Sequence, residues 1–332
     1  MKKIIILILT LTVGLGIFKN DTVRSSALNI REAAKKEKYT FLVVGIDDAA
    51  ENTDALILFN YDVKENVGSF LQIPRDTYFA YSSEVKKINS IYPYLRQKGY
   101  DSKEAMDEVS KSISSAFGVN LDGYLCFTVA AISSLVDSIG GVDIDLPYDF
   151  SFSDADGNNK MELAKGKHHL TGDDAVKFIR YRSGYALGDL GRVDAQKFFL
   201  SAFVKKLKGS LNIRLLCKSA FKPSEGIVTN LKLIDILGIA IKMRGRISNA
   251  GVKFANAPGI AEQVDGGRWY YFINKKSTQS VIDEVLLPKT GKFDPELRLC
   301  PYEEKYKKLY YNENTAYRVL DDDDLNKVNI KD

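Results

Sequence analysis

The chain has 332 residues, of which 45% are hydrophobic and 11% aromatic. This composition is typical of a globular protein and excludes a largely disordered one. The formal net charge is only +4, from 47 lysines and arginines against 43 aspartates and glutamates. A nucleic-acid-binding protein would be expected to show a marked basic excess, so no nucleic-acid partner is predicted.

The first 27 residues combine a basic start with an apolar run. Lys2 and Lys3 precede an uncharged, mostly apolar stretch at residues 4–18, and small residues follow at 25–27. A helix of that stretch would be roughly 22 Å long, short of the roughly 30 Å hydrocarbon core of a bilayer. Residues 1–27 are therefore predicted to be either a short membrane anchor or a signal peptide, the protein being secreted in the second case. Both alternatives place the rest of the chain outside the cytoplasm.

The remaining residues divide into three parts by composition. A polar stretch at 28–38 predicts a tether, and alternating apolar and polar segments at 39–287 predict one domain without internal repeats. Residues 288–332 are rich in tyrosine, lysine and glutamate and contain a run of aspartates, so we expect a C-terminal tail.

Apolar runs bounded by turn-forming residues predict the strands of the domain. The runs are YTFLVVGI at 39–46, DALILFNYD at 54–62, VGSFLQIP at 67–74 and LDGYLCFTV at 121–129. The segment KEN at 64–66 fits a hairpin connection, so we expect the second and third strands to be neighbours.

Helical periodicity appears between and after these strands. The helical segments are DSKEAMDEVSKSISSAFG at 101–118, TVAAISSLVDSIGG at 128–141, TGDDAVKF from 171, and DLGRVDAQKFFLSAFVKKLKG at 189–209. Gly118 ends the first of them, and Thr171 is the expected N-cap of the third. Mixed strands and helices of this kind predict an α/β fold, with a mixed central β-sheet and helices packed on both faces.

Cysteine usage excludes a zinc or redox motif. The cysteines are Cys126, Cys217 and Cys300, which are far apart in the sequence and form no CxxC pair. Cys126 lies inside the apolar run YLCFTV and is predicted to be a small buried hydrophobic residue.

Arginines cluster in the segment FIRYRSGYALGDLGRVDAQ at 178–196. If Arg180 and Arg182 lie on an extended segment, their side chains share one face about 7 Å apart, whereas on a helix they would diverge by roughly 200°. The start of the next helix carries three polar side chains on one face, where unpaired N–H groups suit a phosphate. These side chains are Asp189, Arg192 and Gln196.

A fourth arginine comes from the segment QIPRDTYF. Pro74 ends a predicted strand and places Arg75 at its carboxyl edge, where open α/β sheets bind ligands. Arginine offers a rigid donor fork that matches phosphate or carboxylate. The residues alone leave two interpretations open: the four arginines converge on an anion, or Arg75 forms a structural ion pair with Asp76.

Eight sequence blocks, spread over roughly residues 39–286, resemble a known family in their order. The blocks are FLVVGID, TDALILFN, SFLQIPRDTYF, KKINSIYPY, SIGGVDIDLP, GKHHLTGDDAVKFIRYRS, GDLGRVDAQ and PGIAEQVDGGRWYYF. Together they are similar to the LytR-CpsA-Psr family, whose fold is an α/β/α sandwich. So many ordered blocks make this resemblance far more specific than any single motif.

The resemblance implies a phosphotransferase at the cell membrane with its catalytic domain on the extracytoplasmic side. Such enzymes move a glycopolymer, teichoic-acid-like or capsular, from a polyprenyl pyrophosphate carrier to peptidoglycan through a phosphodiester. The lipid tail of the carrier occupies an apolar slot between the sheet and its helices. By the same resemblance, the pyrophosphate-binding residues are Arg75, Arg180, Arg182, Arg192 and Gln196. Which glycopolymer is carried stays open.

The resemblance also implies a Mg²⁺ or Mn²⁺ ion held by Asp47 and Asp54. The loop between them, DDAAENTD, lacks the arginine that members commonly carry just before the second aspartate, so Asp48 and Glu51 are competing ligands. The general base is open between Asp76 and Asp189, and either could instead orient an arginine. The predicted catalytic set is thus Arg75, Arg180, Arg182, Asp189 and Arg192.

Two other functions remain as hypotheses. Ser83 and Lys86 form an SxxK pair that is followed by SLN at 210–212 and KTG at 289–291, the order found in penicillin-binding enzymes. A serine peptidase would use Ser83 as nucleophile and Lys86 as base. The altered loop before Asp54 also allows a non-catalytic module that binds polyprenyl phosphate. The histidines, 168 and 169, are predicted to be turn or packing residues.

Overall fold

The computed structural model describes 36–47, 52–146, 149–153, 160–180, 199–206, 226–232, 239, 251–286, 298–311 and 315–321. Its strands are β1 (Lys38–Ile46), β2 (Thr53–Asp62), β3 (Val67–Ile73), β4 (Gly123–Thr128), β5 (Val142–Leu146), β6 (Phe150–Ser153), β7 (Lys160–Leu163), β8 (Gly166–Leu170), β9 (Ile227–Thr229), β10 (Gly251–Asn256), β11 (Gly259–Gln263) and β12 (Trp269–Ile273). Six of them form one mixed sheet in the order β10-β3-β2-β1-β4-β9. The others form the pairs β5-β8, β6-β7 and β11-β12.

Along the chain, helices alternate with the strands and also follow the last strand. They are α1 (Ile91–Gln97), α2 (Ser102–Phe117), α3 (Val129–Ser138), α4 (Gly172–Arg180), α5 (Lys275–Val285) and α6 (Glu304–Tyr311). A 3-10 turn at Ile88–Ser90 precedes α1, and residues 199–206 are also helical. None of the helices described is long and apolar enough to cross a membrane, and the predicted anchor at 1–27 lies outside the described residues.

The strands and the hairpin predicted from the sequence are confirmed. β2 and β3 pair antiparallel, so that Asp62 faces Val67 across the connection. The carboxylate of Asp62 accepts hydrogen bonds from the backbone N–H groups of Lys64 and Glu65, at 2.9 and 3.0 Å. Asn66 takes a positive φ of 56°. Asn tolerates this left-handed region better than most residues, which is why KEN makes a tight turn.

Apolar residues alternate along the central strands and cover both faces of the sheet. On the first face, defined by Leu42, Val44, Leu56, Leu58 and Leu71, the core includes side chains of α2 and α5. On the second face, defined by Phe41, Phe59, Phe70 and Phe254, Leu200 and Val204 of the helical residues 199–206 pack against the sheet. Helices therefore lie on both faces, which confirms the predicted fold class.

The C-terminal residues predicted as a tail pack on the domain where the structure describes them. Leu320 exchanges two backbone hydrogen bonds with Phe254, at 2.8 and 2.7 Å, and so extends the sheet beyond β10. Leu299 and Tyr310 are fully buried in the core of the first face. We call residues 298–311 and 315–321 the C-terminal segment.

Candidate functional site

The carboxyl ends of four strands meet at one edge of the central sheet. β1 runs parallel to β4, β3 runs parallel to β10, and both β1 and β3 are antiparallel to β2. Asp47 follows β1, Arg75 follows β3 after Pro74, and Asp54 is the second residue of β2, which begins at this same edge. The topology therefore gathers residues from three separate sequence blocks at one edge.

A β-bulge sets the position of Asp54. Gly45 pairs with Ala55 and Ile46 pairs with Thr53, so β2 has one residue more than β1 between these pairs, and that residue is Asp54. A bulge bends its strand and re-aims a side chain, and bulges often occur beside active sites. The sequence pattern alone did not reveal this bulge.

Arg75 lies between two carboxylates. Its Nη1 atom is 2.6 Å from Oδ1 of Asp54, and its Nε atom is 3.6 Å from Oδ2 of Asp76. The side chains of Arg75 and Asp54 are only 18% and 20% exposed. The shorter contact is therefore with the aspartate predicted to bind metal, and the simple pairing of Arg75 with Asp76 is the weaker of the two.

Lys87 extends this chain of charges, and the sequence analysis missed it. Its Nζ atom is 2.7 Å from Oδ1 of Asp76 and 5.3 Å from the centre of the Tyr270 ring. Both carboxylate oxygens of Asp76 thus face cations, which suits a residue that orients Arg75 better than a general base. The KKIN block, quoted only as part of the family pattern, was the signal that could have identified Lys87.

Arg180 reaches the same edge from a helix, which corrects the sequence interpretation. The extended segment on which Arg180 and Arg182 would share one face is not formed at Arg180, which is the last residue of α4. The helix continues to this point because Ala175, Val176 and Phe178 bury one helical face. The Nη2 atom of Arg180 is 3.4 Å from Oδ1 of Asp47. The predicted site residues Arg182, Asp189, Arg192 and Gln196 lie outside the described residues.

Tight packing fixes the helix that carries Arg180. A Cβ atom on Gly172 would lie 2.2 Å from the carbonyl oxygen of Ser133 in α3, so only glycine allows this approach. The Gly172 N–H donates to Asp137 at 2.7 Å. As predicted, Thr171 caps the helix, its hydroxyl accepting from the N–H of Asp174 at 3.3 Å. Since α3 begins directly after β4, this packing ties Arg180 to the sheet edge.

The loop that carries Arg75 and Lys87 is held from two sides. The backbone N–H of Tyr271 in β12 donates to the carbonyl of Asp76, and the N–H of Tyr78 donates to the carbonyl of Tyr271. In the C-terminal segment, the carbonyl of Arg298 accepts from the N–H of Ala80 at 2.7 Å.

The hydroxyl of Tyr78, in the same loop, is not a candidate base. Burial raises the pKa of Tyr78 to about 12, so the hydroxyl stays neutral near pH 7.

The donor set of Asp47 and Asp54 is compatible with a divalent cation that also binds a phosphate. Asp47 follows Ile46 and Asp54 follows Thr53, and Ile46 and Thr53 are register partners, so both aspartates lie at neighbouring strand ends. Within the described part of the chain, no three or more metal-binding side chains gather at one point. Mg²⁺ commonly uses one or two carboxylates and completes its shell with water and substrate phosphates. A pair of aspartates is therefore adequate for a metal held jointly with substrate.

The geometry of Ser83 and Lys86 disfavours the serine peptidase. Ser83 is exposed in the turn of the hairpin that joins Tyr78 to Lys87, whereas an SxxK pair needs serine and lysine one helical turn apart. The Nζ atom of Lys86 lies 5.1 Å over the Tyr302 ring. The SLN and KTG stretches fall outside the described residues.

Of the predicted non-catalytic residues, Cys126 is buried as expected, whereas the two histidines lie on strand β8 rather than in a turn and make polar contacts there. His169 binds Asp143 through Nδ1 at 2.6 Å, and His168 contacts the carbonyl of Ala164 at 2.5 Å, both on β8. Cys126 is 1% exposed, and burial raises the pKa of its thiol to about 12. A thiol that stays protonated is a poor nucleophile, so Cys126 packs as a small hydrophobic residue.

Comparisons with known proteins agree with the resemblance seen in the sequence. A model of the LytR_cpsA_psr family matches residues 17–285. The polyisoprenyl-teichoic acid--peptidoglycan teichoic acid transferase TagV of Bacillus subtilis (strain 168) is 30% identical over 229 residues, covering 65% of this chain and 56% of TagV. A second relative, TagU of Bacillus cereus, has the same transferase description. It is 26% identical over 257 residues, covering 76% of this chain and 79% of TagU.

Solved structures share the fold. The crystal structure of B. subtilis TagV matches with a TM-score of 0.60 at 24% identity, over 75% of this chain and 96% of that chain. The protein gbs0355 of Streptococcus agalactiae matches with a TM-score of 0.68 at 20% identity, over 86% of this chain and 98% of that chain. At these identities the likeness establishes the architecture of the domain.

Proposed function

Because the chain belongs to the LytR-CpsA-Psr family, we propose that it transfers a glycopolymer from a polyprenyl pyrophosphate carrier to peptidoglycan. The observation that carries the proposal is the partly buried ion pair of Arg75 and Asp54 at the carboxyl edge of the sheet. The names of TagU and TagV, transferases that join teichoic acid to peptidoglycan, support the same reaction class and make a teichoic-acid-like polymer the favoured cargo. The domain would work on the extracytoplasmic side of the membrane, where both partners are found.

The transfer exchanges one phosphate ester bond for another. A hydroxyl oxygen of peptidoglycan attacks the phosphorus joined to the glycan, and the bridging P–O bond of the diphosphate breaks. Polyprenyl phosphate leaves with the bond electrons, and the hydroxyl proton passes to a base. Since both oxygens of Asp76 face cations, Asp189 is the remaining candidate for that base.

Arginine forks would hold the diphosphate during this exchange. A diphosphate ester carries about two negative charges, and preorganised donors stabilise the charge that shifts toward the leaving group. Arg75 and Arg180 lie at the sheet edge, where Arg75 contacts Asp54 and Asp76 and Arg180 contacts Asp47. We assign the rest of the clamp to Arg182, Arg192 and Gln196, in the segment that follows α4.

A Mg²⁺ or Mn²⁺ ion would be held by Asp47 and Asp54. When bound, such an ion supplies charge neutralisation and orientation to the phosphate oxygens. The same carboxylates contact Arg75 and Arg180, so the metal and the two guanidinium groups would share these aspartates.

The second face of the sheet is suited to the apolar chain of the carrier. Phe41, Phe59, Phe70 and Phe254 are register partners across four strands, with ring centres 6.4, 4.6 and 4.5 Å apart. Helical residues 199–206 cover part of this row, with Leu200 and Val204 packed against it. The slot implied by the family resemblance would lie here, and its end would open toward Arg75.

The carrier proposal is tested by the lipid that copurifies with the protein. We expect protein purified from membranes to yield polyprenyl phosphate or pyrophosphate on solvent extraction and mass spectrometry. An Arg75→Ala variant prepared in parallel should retain much less, because the anionic end of the lipid loses its contact. Phospholipids alone in both samples would contradict the assignment of a polyprenyl carrier.

A further inference from the structure

The second face of the sheet changes from apolar to polar in regular steps toward the site. Because register partners share a face, the side chains form rows across β1, β2, β3 and β10. One row is aromatic throughout, namely Phe41, Phe59, Phe70 and Phe254. The next row toward the site, two residues along each strand, is Val43, Ile57, Gln72 and Asn256.

Two amides thus lie between the aromatic row and the arginine. Gln72 and Asn256 are register partners, and Gln72 precedes Arg75 by three residues. Each row advances roughly 7 Å along the strands, so the amides lie one step beyond the phenylalanines, on the side of the sheet edge that carries Arg75. On the β1 and β2 side, the following row is Gly45 and Ala55, which leaves space because both side chains are small.

Asn256 is a partly buried residue that carries one of the buried polar atoms without a hydrogen bond. Its side-chain oxygen is buried, and within the described residues no hydrogen-bond donor reaches it. A buried polar atom without a hydrogen bond lowers stability, and most such atoms in proteins have a partner. Rotation by 180° about the last side-chain bond exchanges the oxygen with the NH₂ group, so the same position can offer a donor.

We propose that Asn256 donates a hydrogen bond to the phosphate nearest the lipid, at the point where the apolar chain joins the diphosphate. This inference rests on the proposed function. The steps along the second face match a ligand whose hydrocarbon chain is joined directly to an anion: aromatic rings, then neutral amides, then Arg75. A neutral amide at the junction satisfies phosphate oxygens without placing a charge beside the hydrocarbon.

The proposed contact would act during the reaction as well as in binding. The phosphate nearest the lipid becomes the leaving group and gains negative charge when the bridging bond breaks. A fixed N–H donor therefore binds the transition state more strongly than the ground state. Asn256 would be a catalytic residue, because it touches the group that departs.

The test combines stability with turnover in two asparagine variants. Asn256→Leu removes the amide but keeps an apolar side chain of similar size, so we expect a melting temperature at or above that of the wild type. Its kcat for release of polyprenyl phosphate should fall by tenfold or more, with a smaller change in KM. Asn60→Leu is the matched control, because Asn60 is a buried strand asparagine, and its Nδ2 donates to Thr40 at 2.8 Å at the other end of the sheet. It should melt earlier and keep its kcat per folded molecule.

Each outcome decides the inference. Wild-type kcat in Asn256→Leu would overturn it, and so would a loss of kcat that merely follows a lower melting temperature. Binding of a polyprenyl monophosphate should weaken in Asn256→Leu, whereas binding of the uncharged polyprenol should not change; equal weakening of both would overturn it as well. The wild type reports separately on the proposed function, because failure of the wild type to release polyprenyl phosphate would contradict the reaction itself.

Discussion

Arg75→Lys is expected to lower kcat/KM for glycopolymer transfer by roughly 30-fold or more, which corresponds to about 2 kcal/mol of transition-state stabilisation. Lysine keeps the positive charge but loses the planar fork. Arg75 contacts Asp54 through Nη1 and Asp76 through Nε, at 2.6 and 3.6 Å, and one ammonium group cannot hold both carboxylates while facing a phosphate. Steady-state release of polyprenyl phosphate measures the effect.

The control for this variant is an arginine that lies away from the charged residues at the sheet edge. Arg268 is exposed at the turn between β11 and β12, so Arg268→Lys should leave kcat/KM unchanged. The arginine clamp would be refuted by near wild-type turnover in Arg75→Lys, provided that the carrier is saturating in both assays.

Removal of the metal is expected to abolish transfer, and Mg²⁺ or Mn²⁺ should restore it. Asp54→Asn should remain folded but lose at least a hundredfold in kcat, because a neutral amide is a much weaker ligand for a hard cation. Its activity should also respond poorly to added metal, which separates metal binding from the contact of Asp54 with Arg75. The measurement is a metal titration of turnover after treatment with a chelator.

Asp62→Asn is the matched control for the metal prediction. Asp62 lies at the opposite end of the same strand, where its carboxylate is 3.0 Å from Lys38. This variant should keep the metal response of the wild type. Full turnover in the presence of a chelator, with no contaminating metal, would show that the assignment of Asp47 and Asp54 is wrong.

The sequence was a good guide to elements whose pattern is local. Alternating apolar residues predicted β1, β2 and β3, and Asp62 with Asn66 explains why KEN closes the hairpin. Pro74 likewise fixed the end of β3 and so the place of Arg75. Features of this kind depend on residues that are close together in the chain, so they can be predicted from a single sequence.

The sequence was a poor guide where distant residues decide the structure. The bulge at Asp54 depends on how β1 and β2 pair, and the contact of Lys87 with Asp76 depends on how a loop folds back. The residues alone left open whether Arg180 lies on an extended segment or on a helix, because the helix that ends at Arg180 depends on burial of Ala175, Val176 and Phe178. The burial of Leu299 and Tyr310 depends on packing against the distant core, which composition does not report.

The most direct test of the central claim is to follow the phosphorus atom that joins the carrier to the glycan. A carrier labelled only in the phosphate nearest the glycan is incubated with peptidoglycan and the purified protein, and the products are separated into lipid and peptidoglycan. Phosphotransfer predicts that the label passes to peptidoglycan in a phosphodiester while unlabelled polyprenyl phosphate is released. Label that stays with the lipid as a diphosphate would show that the sugar–oxygen bond breaks instead, and would contradict the reaction assigned to the arginine-lined edge.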